Sequence, residues 1–105
     1  MKIIYHAHHA VISDYMRRRA ERLLGKLTSR LDHAVDAVVR FEQDGPIRRV
    51  EVMLHAARRN PLVAEGFGRT YGPALTQAAN KLETQIRRLK RTSKSRARVR
   101  ALMSA

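Results

Sequence analysis

The chain of 105 residues contains no cysteine and no tryptophan. Without cysteine it forms neither disulfides nor thiolate metal sites, and nothing in it indicates an oxidising compartment. No apolar run approaches the roughly 20 residues that span a bilayer. The first residues, MKIIYHAHHAVISDY, make a poor signal peptide because histidines interrupt their short apolar stretch. We therefore expect a soluble protein of the cytoplasm.

Acidic residues are also scarce, and this argues against catalysis. The nine Asp and Glu are scattered along the chain, and no two of them form a recognisable acid–base pair. Neither a glycine-rich phosphate loop nor a nucleophile motif is present. His6, His8 and His9 suggest a metal site, but no carboxylate accompanies them and their spacing is not that of a closed site. We favour a structural or RNA-contacting role for them and predict no enzyme activity, no metal and no cofactor.

Positive charge is what the chain has in excess. Lys and Arg number 22, and the formal net charge is +13. The segment from Arg87 to Arg100 reads RRLKRTSKSRARVR, and no acid follows Glu83. So many like charges repel one another in a compact fold, so a polyanionic partner explains the excess better than folding does. Nucleic acid is the obvious partner of this kind. Because only 5% of the residues are aromatic, we expect recognition of RNA shape and backbone rather than base stacking.

The length suits a single domain, which the periodicity of apolar residues divides into four strands and two helices. Ser13 is a candidate N-cap of the first helix, and the turn Asp44-Gly45-Pro46 joins two strands into a hairpin. The predicted elements are strand 2–6, a helix from Ser13 to about Leu31, strands 35–43, 48–56 and 62–67, and a helix from residues 70–73 to about Arg91.

The predicted fold class is α+β, in the order β-α-β-β-β-α, with a four-stranded antiparallel sheet and two helices packed on one face. Gly25 inside the first helix costs about 1 kcal/mol relative to alanine, and a close contact with the sheet would explain it. We assign residues 1–91 to the domain and residues 92–105 to a flexible basic tail. Alternation in the second strand places on one face Val35, Ala37, Val39 and Phe41.

Four segments together resemble a known family. They are the opening Lys2-Ile3-Ile4, the helix entry Val11-Ile12-Ser13-Asp14, the hairpin segment Arg49–His55 and the closing segment Lys81–Lys90. The last is the most specific, because a K-L-x-x-Q core is followed by cations in the last turns. Over about residues 1–91 the chain resembles the ribosome hibernation factors, the short hibernation-promoting and ribosome-associated inhibitor proteins.

This resemblance implies a fold like that of double-stranded-RNA-binding domains and binding in the mRNA and tRNA channel of the small ribosomal subunit. It also implies inhibition of translation and preservation of idle ribosomes under stress or in stationary phase. The chain stops before the second domain that pairs ribosomes in long members, so an additional ribosome-pairing factor is expected. The extension at the end of the chain is basic rather than acidic, which favours the short hibernation-promoting form.

The start of the last helix departs from the family pattern. The family has Gly-x-Asp-aliphatic-Tyr-Ala-Ala, and this chain has GRTYGPA at residues 68–74. If Thr70 takes the Asp position, its hydroxyl still caps the helix but Gly72 and Pro73 replace family residues. If Tyr71 matches the family Tyr instead, one residue is inserted and the cap is lost.

The basic helix faces carry the predicted RNA contacts. Two alternatives stay open, namely a general binder of duplex RNA or DNA without ribosome preference, and an assembly protein that recognises an acidic protein. The sequence also leaves open whether the chain self-associates through the sheet face that carries Val38 and Met53. The residues predicted to face rRNA phosphates are Arg22, Lys26, Arg30, Lys81, Arg87, Arg88, Lys90 and Arg91.

Overall fold

The six elements follow one another in the predicted order, which confirms the fold class. The computed structural model describes residues 2–8 and 10–103, and for residues 92–97 it gives only the course of the backbone. Its elements in chain order are β1 (Lys2–His8), α1 (Asp14–Thr28), β2 (Ala34–Asp44), β3 (Ile47–Ala56), β4 (Leu62–Gly68) and α2 (Tyr71–Met103).

The four strands form one mixed sheet in the order β1-β2-β3-β4. β2 and β3 form the predicted antiparallel hairpin, and β4 is antiparallel to β3. β1 runs parallel to β2, from the pair Lys2–Asp36 to the pair His8–Glu42, so the expectation of a wholly antiparallel sheet was wrong. The reason is α1, because a helical crossover between neighbouring strands returns the chain to the end at which the first strand began.

α1 begins where the sequence predicts. The side-chain oxygen of Ser13 accepts a hydrogen bond from the backbone N–H of Met16 at 3.1 Å, so Ser13 is the N-cap. The helix ends at Thr28, earlier than predicted, although Leu31 remains buried beyond it. Among the described residues, nothing lies within 4 Å of a Cβ built on Gly25, so this glycine does not make the suggested close contact with the sheet.

The hydrophobic core lies between the inner face of the sheet and the two helices. Alternation along β2 is confirmed for three of its four predicted positions, which are fully buried. The exception is Val35, which is 55% exposed because a register shift between Ala34 and Asp36 interrupts the alternation. The buried residues are Ala20, Leu24, Leu27, Leu31, Ala37, Val39, Phe41, Val50, Val52, Leu54, Ala64, Ala74, Leu75, Ala78, Ala79, Leu82 and Ile86.

The first turn of α2 packs very closely on β4. A Cβ built on Gly66 would lie 1.8 Å from the carbonyl oxygen of Ala74, so only glycine fits at this point of the strand. The ring of Tyr71, the first residue of α2, packs edge-on against Phe41 with 5.4 Å between ring centroids. Pro73 lies in this first turn, where a backbone N–H has no helical partner to lose. The altered helix start is therefore compatible with a packed helix.

α2 is longer than predicted. We expected it to end near Arg91, and it runs to Met103, so the predicted tail is helical over its described part. The last two residues of that tail, 104 and 105, lie outside the described residues. The molecule measures 59 Å along its longest axis but only 23 and 19 Å across. Near the end of α2, Val99, Leu102 and Met103 are 54%, 74% and 82% exposed, so this end stands clear of the body.

Candidate nucleic-acid interface

All the predicted RNA-binding cations are exposed, and all of them except Arg30 lie on the two helices. Arg22 and Lys26 are spaced by four residues on one side of α1. Arg30 lies two residues beyond the end of the helix at Thr28 and lines the same groove as Lys26. The remaining predicted cations lie on α2. The helix layer therefore presents two rows of positive charge with a groove between them.

Glu83 joins the two rows at the centre of the groove. Its Oε1 atom accepts a hydrogen bond from Nη1 of Arg30 at 2.8 Å and from Nη2 of Arg87 at 2.8 Å. Lys26 lines the same groove. Two guanidinium groups thus converge on a single carboxylate oxygen, and the cluster keeps a net positive charge. Because both arginines are more than half exposed, these ion pairs are weak, and a phosphate can reach the N–H groups that the carboxylate leaves over.

A second hollow lies farther along α2, and one of the cations that line it was not predicted from the sequence. Arg59, in the loop between β3 and β4, lines it together with Arg30 and Lys90. No pattern in the sequence indicated Arg59, because only the tertiary fold brings this loop to the helix layer. Arg19 was missed as well. Its guanidinium donates to the hydroxyl of Thr76 at 3.0 Å and ties α1 to α2.

Lys81 is on a different side of α2, at the edge of the sheet. Its ammonium donates to the carbonyl oxygen of Glu65 on β4 at 2.8 Å. The side-chain amide of Gln85 donates to the carbonyl oxygen of Val63 at 2.9 Å, and that of Gln77 accepts from the N–H of Phe67 at 2.8 Å. These side chains occupy backbone groups that an edge strand otherwise offers to another chain. The K-L-x-x-Q segment thus has a structural role that periodicity alone did not indicate.

The predicted cations consequently divide into two groups. Arg88 follows Lys81 by seven residues and shares its side of α2, next to β4. Arg87, by contrast, meets Arg30 at Glu83, and Lys90 lines the second hollow with Arg30. The structure thus brings together the α1 row with Arg87 and Lys90, and places the other pair toward the sheet edge.

The outer face of the sheet, which is turned away from the helices, has a different charge pattern. Arg49 is bound by three carboxylates, those of Glu51 and Glu65 at 2.7 Å and of Glu42 at 3.1 Å. Hydrogen bonding and attraction by Arg49 lower the pKa of Glu65, and the hydrogen bond to Glu65 raises the pKa of Arg49. Glu65 is therefore held as a carboxylate. This face is poorly suited to phosphate, because its carboxylates repel a polyanion.

The histidines form no cation site within the described part of the chain. His6 and His8 are exposed at the end of β1, and His9 lies outside the described residues. His55 pairs with Asp36 on the outer face of the sheet. Across residues 2–8 and 10–103, no three His, Cys, Asp or Glu side chains are grouped as metal ligands would be.

No helix in the described part of the chain has the length and apolar content needed to cross a membrane.

Known proteins share both the sequence pattern and the fold. The model of the sigma 54 modulation protein / S30EA ribosomal protein family matches residues 3–94. A ribosomal subunit interface protein from Coxiella burnetii superimposes with a TM-score of 0.79 at 19% identity, over 86% of this chain and 98% of that one. The N-terminal domain of Thermus thermophilus Protein Y gives a TM-score of 0.75 at 24% identity, over 85% and 99%. No curated protein matches the chain significantly.

Proposed function

Because the chain belongs to the sigma 54 modulation protein / S30EA ribosomal protein family, we propose that it is a ribosome hibernation factor of the cytoplasm. It binds rRNA of the small ribosomal subunit in the mRNA and tRNA channel and inhibits translation by occupying it. Idle ribosomes are thereby preserved under stress or in stationary phase. Binding alone performs this function, without any reaction catalysed by the protein.

The observation that carries this proposal is the separation of charge between the two faces of the domain. The helix layer holds two cation rows with Glu83 between them, whereas the outer sheet face holds acids around Arg49. When a phosphate backbone meets the helix layer, these cations replace its condensed counterions, and the release of those ions into solution drives binding without sequence readout. The protein therefore presents only one of its faces to RNA.

We propose different tasks for the predicted cations on the basis of their contacts. Arg22 and Lys26 on α1, and Arg30 just beyond its end, bind phosphates together with Arg87 and Lys90 on α2. Arg91 follows Arg87 by one turn and extends this row toward the projecting end of α2. Lys81 and Arg88 contact RNA from the side of β4, and Lys81 also holds the sheet edge.

We assign ribosome binding to residues 1–91 and give the basic extension a supporting role. The extension adds cations such as Arg98 beyond the domain, and phosphates near the channel attract them. An additional factor that pairs ribosomes completes hibernation, because the domain has one RNA-binding face and that face is occupied by its own subunit.

Charge reversal tests the assignment of the RNA-binding face. Arg87→Glu with Arg91→Glu is expected to reduce co-sedimentation with vacant ribosomes at least tenfold, because two phosphate contacts become repulsive. The matched control is Lys2→Glu with Arg40→Glu, which changes the net charge equally on the outer sheet face and is expected to retain most of the binding. Circular dichroism establishes that both variants are folded. Equal losses in the two variants would contradict the proposed face.

A further inference from the structure

The outer face of the sheet carries an apolar row that neither helix covers. Strand pairing aligns Ile4, Val38, Met53 and Val63 across all four strands. Val63 is 39% exposed, and Phe67 at the end of β4 is 49% exposed. A continuous apolar row on an open sheet face is typical of a surface that meets another polypeptide.

Charges on both sides of this row define the kind of polypeptide it fits. Four of the nine acids in the chain lie on this face, namely Asp36, Glu42, Glu51 and Glu65. The last three share the cation Arg49, and Asp36 pairs with His55. Among the residues whose side chains the structure describes, the Lys and Arg on this face are Lys2, Arg40 and Arg49. The surface thus suits a segment that has both cations and exposed apolar side chains.

The end of α2 has this character. Val99, Leu102 and Met103 are spaced by three and four residues, so they share one side of the helix and are exposed. Arg98 is exposed beside them. Residues 92–103 span about 18 Å at the helical rise, and four strands at their usual spacing span about 14 Å. The helix end is long enough to cross the whole sheet.

This helix end cannot reach the sheet of its own chain. α2 is one continuous helix from Tyr71 to Met103, and its first half packs on the inner face of the sheet. A continuous helix does not turn back around the sheet edge to the opposite face, and its end is exposed in a molecule 59 Å long. A second copy of the chain therefore has to supply the helix end.

We propose that the outer sheet face is a docking surface for the α2 end of a second copy. Val99, Leu102 and Met103 pack on the row of Ile4, Val38, Met53 and Val63, and cations such as Arg98 lie against the flanking carboxylates. Two copies can exchange their helix ends reciprocally, so that the assembly closes as a symmetric dimer. Each copy carries a net charge of +13, so the association is expected at moderate salt, where long-range repulsion is screened.

The absence of cysteine allows a direct test by disulfide cross-linking. Met53→Cys and Met103→Cys are made as separate single variants, and one of them carries a size tag. The two are mixed and mildly oxidised at about 0.15–0.3 M salt, where the Debye length is about 8 Å or less. We expect disulfides between the two variants to exceed, severalfold, those between copies of the same variant. Asn80→Cys, exposed on the helix layer, replaces Met53→Cys as the control and is expected to cross-link with Met103→Cys only at the random level.

Sedimentation equilibrium of the unmodified chain provides the second measurement. Dimers should form with rising concentration, and Glu51→Lys with Glu65→Lys should weaken them at least fivefold, because acids facing the helix end become cations. A monomer at all concentrations, cross-links at the random level, or a dimer that these substitutions leave unchanged would overturn the proposal. None of these measurements involves ribosomes, so their outcome is separate from that of the proposed function.

Discussion

The close approach between Gly66 and the first turn of α2 makes a strong prediction about stability. In Gly66→Ala the new Cβ would lie 1.8 Å from the carbonyl oxygen of Ala74 and 2.9 Å from the backbone nitrogen of Ala78. These are backbone atoms, which cannot rotate away as a side chain does. To restore an ordinary contact, helix and strand must separate by about 1.5 Å.

Such a separation opens the core along the buried stripe of α2, which includes Leu75 and Leu82. Overpacking of a close-packed interior typically costs about 1–3 kcal/mol, and more where the backbone must move. We therefore expect Gly66→Ala to lower the free energy of unfolding by about 3 kcal/mol or more. In a domain of this size, that corresponds to a fall in Tm of more than about 10 °C.

Gly25→Ala is the matched control, because it adds the same methyl group where no described atom lies within 4 Å. In the interior of α1 it should raise stability by about 0.5–1 kcal/mol, since alanine restricts the unfolded chain and favours the helix. Urea and thermal unfolding followed by circular dichroism measure both changes. If Gly66→Ala unfolds within 1 kcal/mol of the unmodified chain, as judged by the usual linear extrapolation, the helix–strand packing described for α2 is refuted.

Two further predictions concern charged groups. Glu83→Gln should tighten binding to structured RNA by about two- to fivefold at low salt, because Arg30 and Arg87 lose a competing carboxylate. A salt titration of RNA binding measures this change, and unchanged or weaker binding would contradict the proposed groove. Because Arg49 lowers the pKa of Glu65 below 4.5 in the folded state, their pairing stabilises the fold above that pH and is lost as the pH falls through the folded-state pKa. Acid unfolding curves should therefore show a smaller loss of stability below pH 4.5 in Arg49→Met than in the unmodified chain, and parallel curves would refute the pairing.

The sequence predicted the elements that depend on local signals. The Ser13 cap, the hairpin turn after Asp44 and the apolar stripes of both helices are each set by neighbouring residues, and the structure confirms them. The parallel pairing of β1 depends instead on where α1 returns the chain, which periodicity does not encode. The predicted burial of Val35 was wrong for a related reason, because a shift of one residue in the β2 ladder reverses the face of the sheet on which a side chain lies.

The candidate site shows a similar division. Exposure of the basic helix faces followed from the helical period, but pairing of Arg30 and Arg87 through Glu83 depends on how α1 and α2 pack. The same holds for Lys81, whose contact with β4 requires knowledge of which strand lies beside α2. The length of α2 was underestimated because its end offers no buried apolar stripe over residues 98–103, which are exposed, although arginine and alanine are good helix formers.

Co-sedimentation of the unmodified protein with vacant ribosomes, at low and moderate salt and against excess duplex RNA, tests the central claim most directly. If the protein occupies one site in the decoding channel of the small subunit, about one copy per ribosome should pellet and survive both the competitor and the higher salt. Binding of many copies that the duplex RNA or salt removes would show a general affinity for RNA and contradict the proposed function.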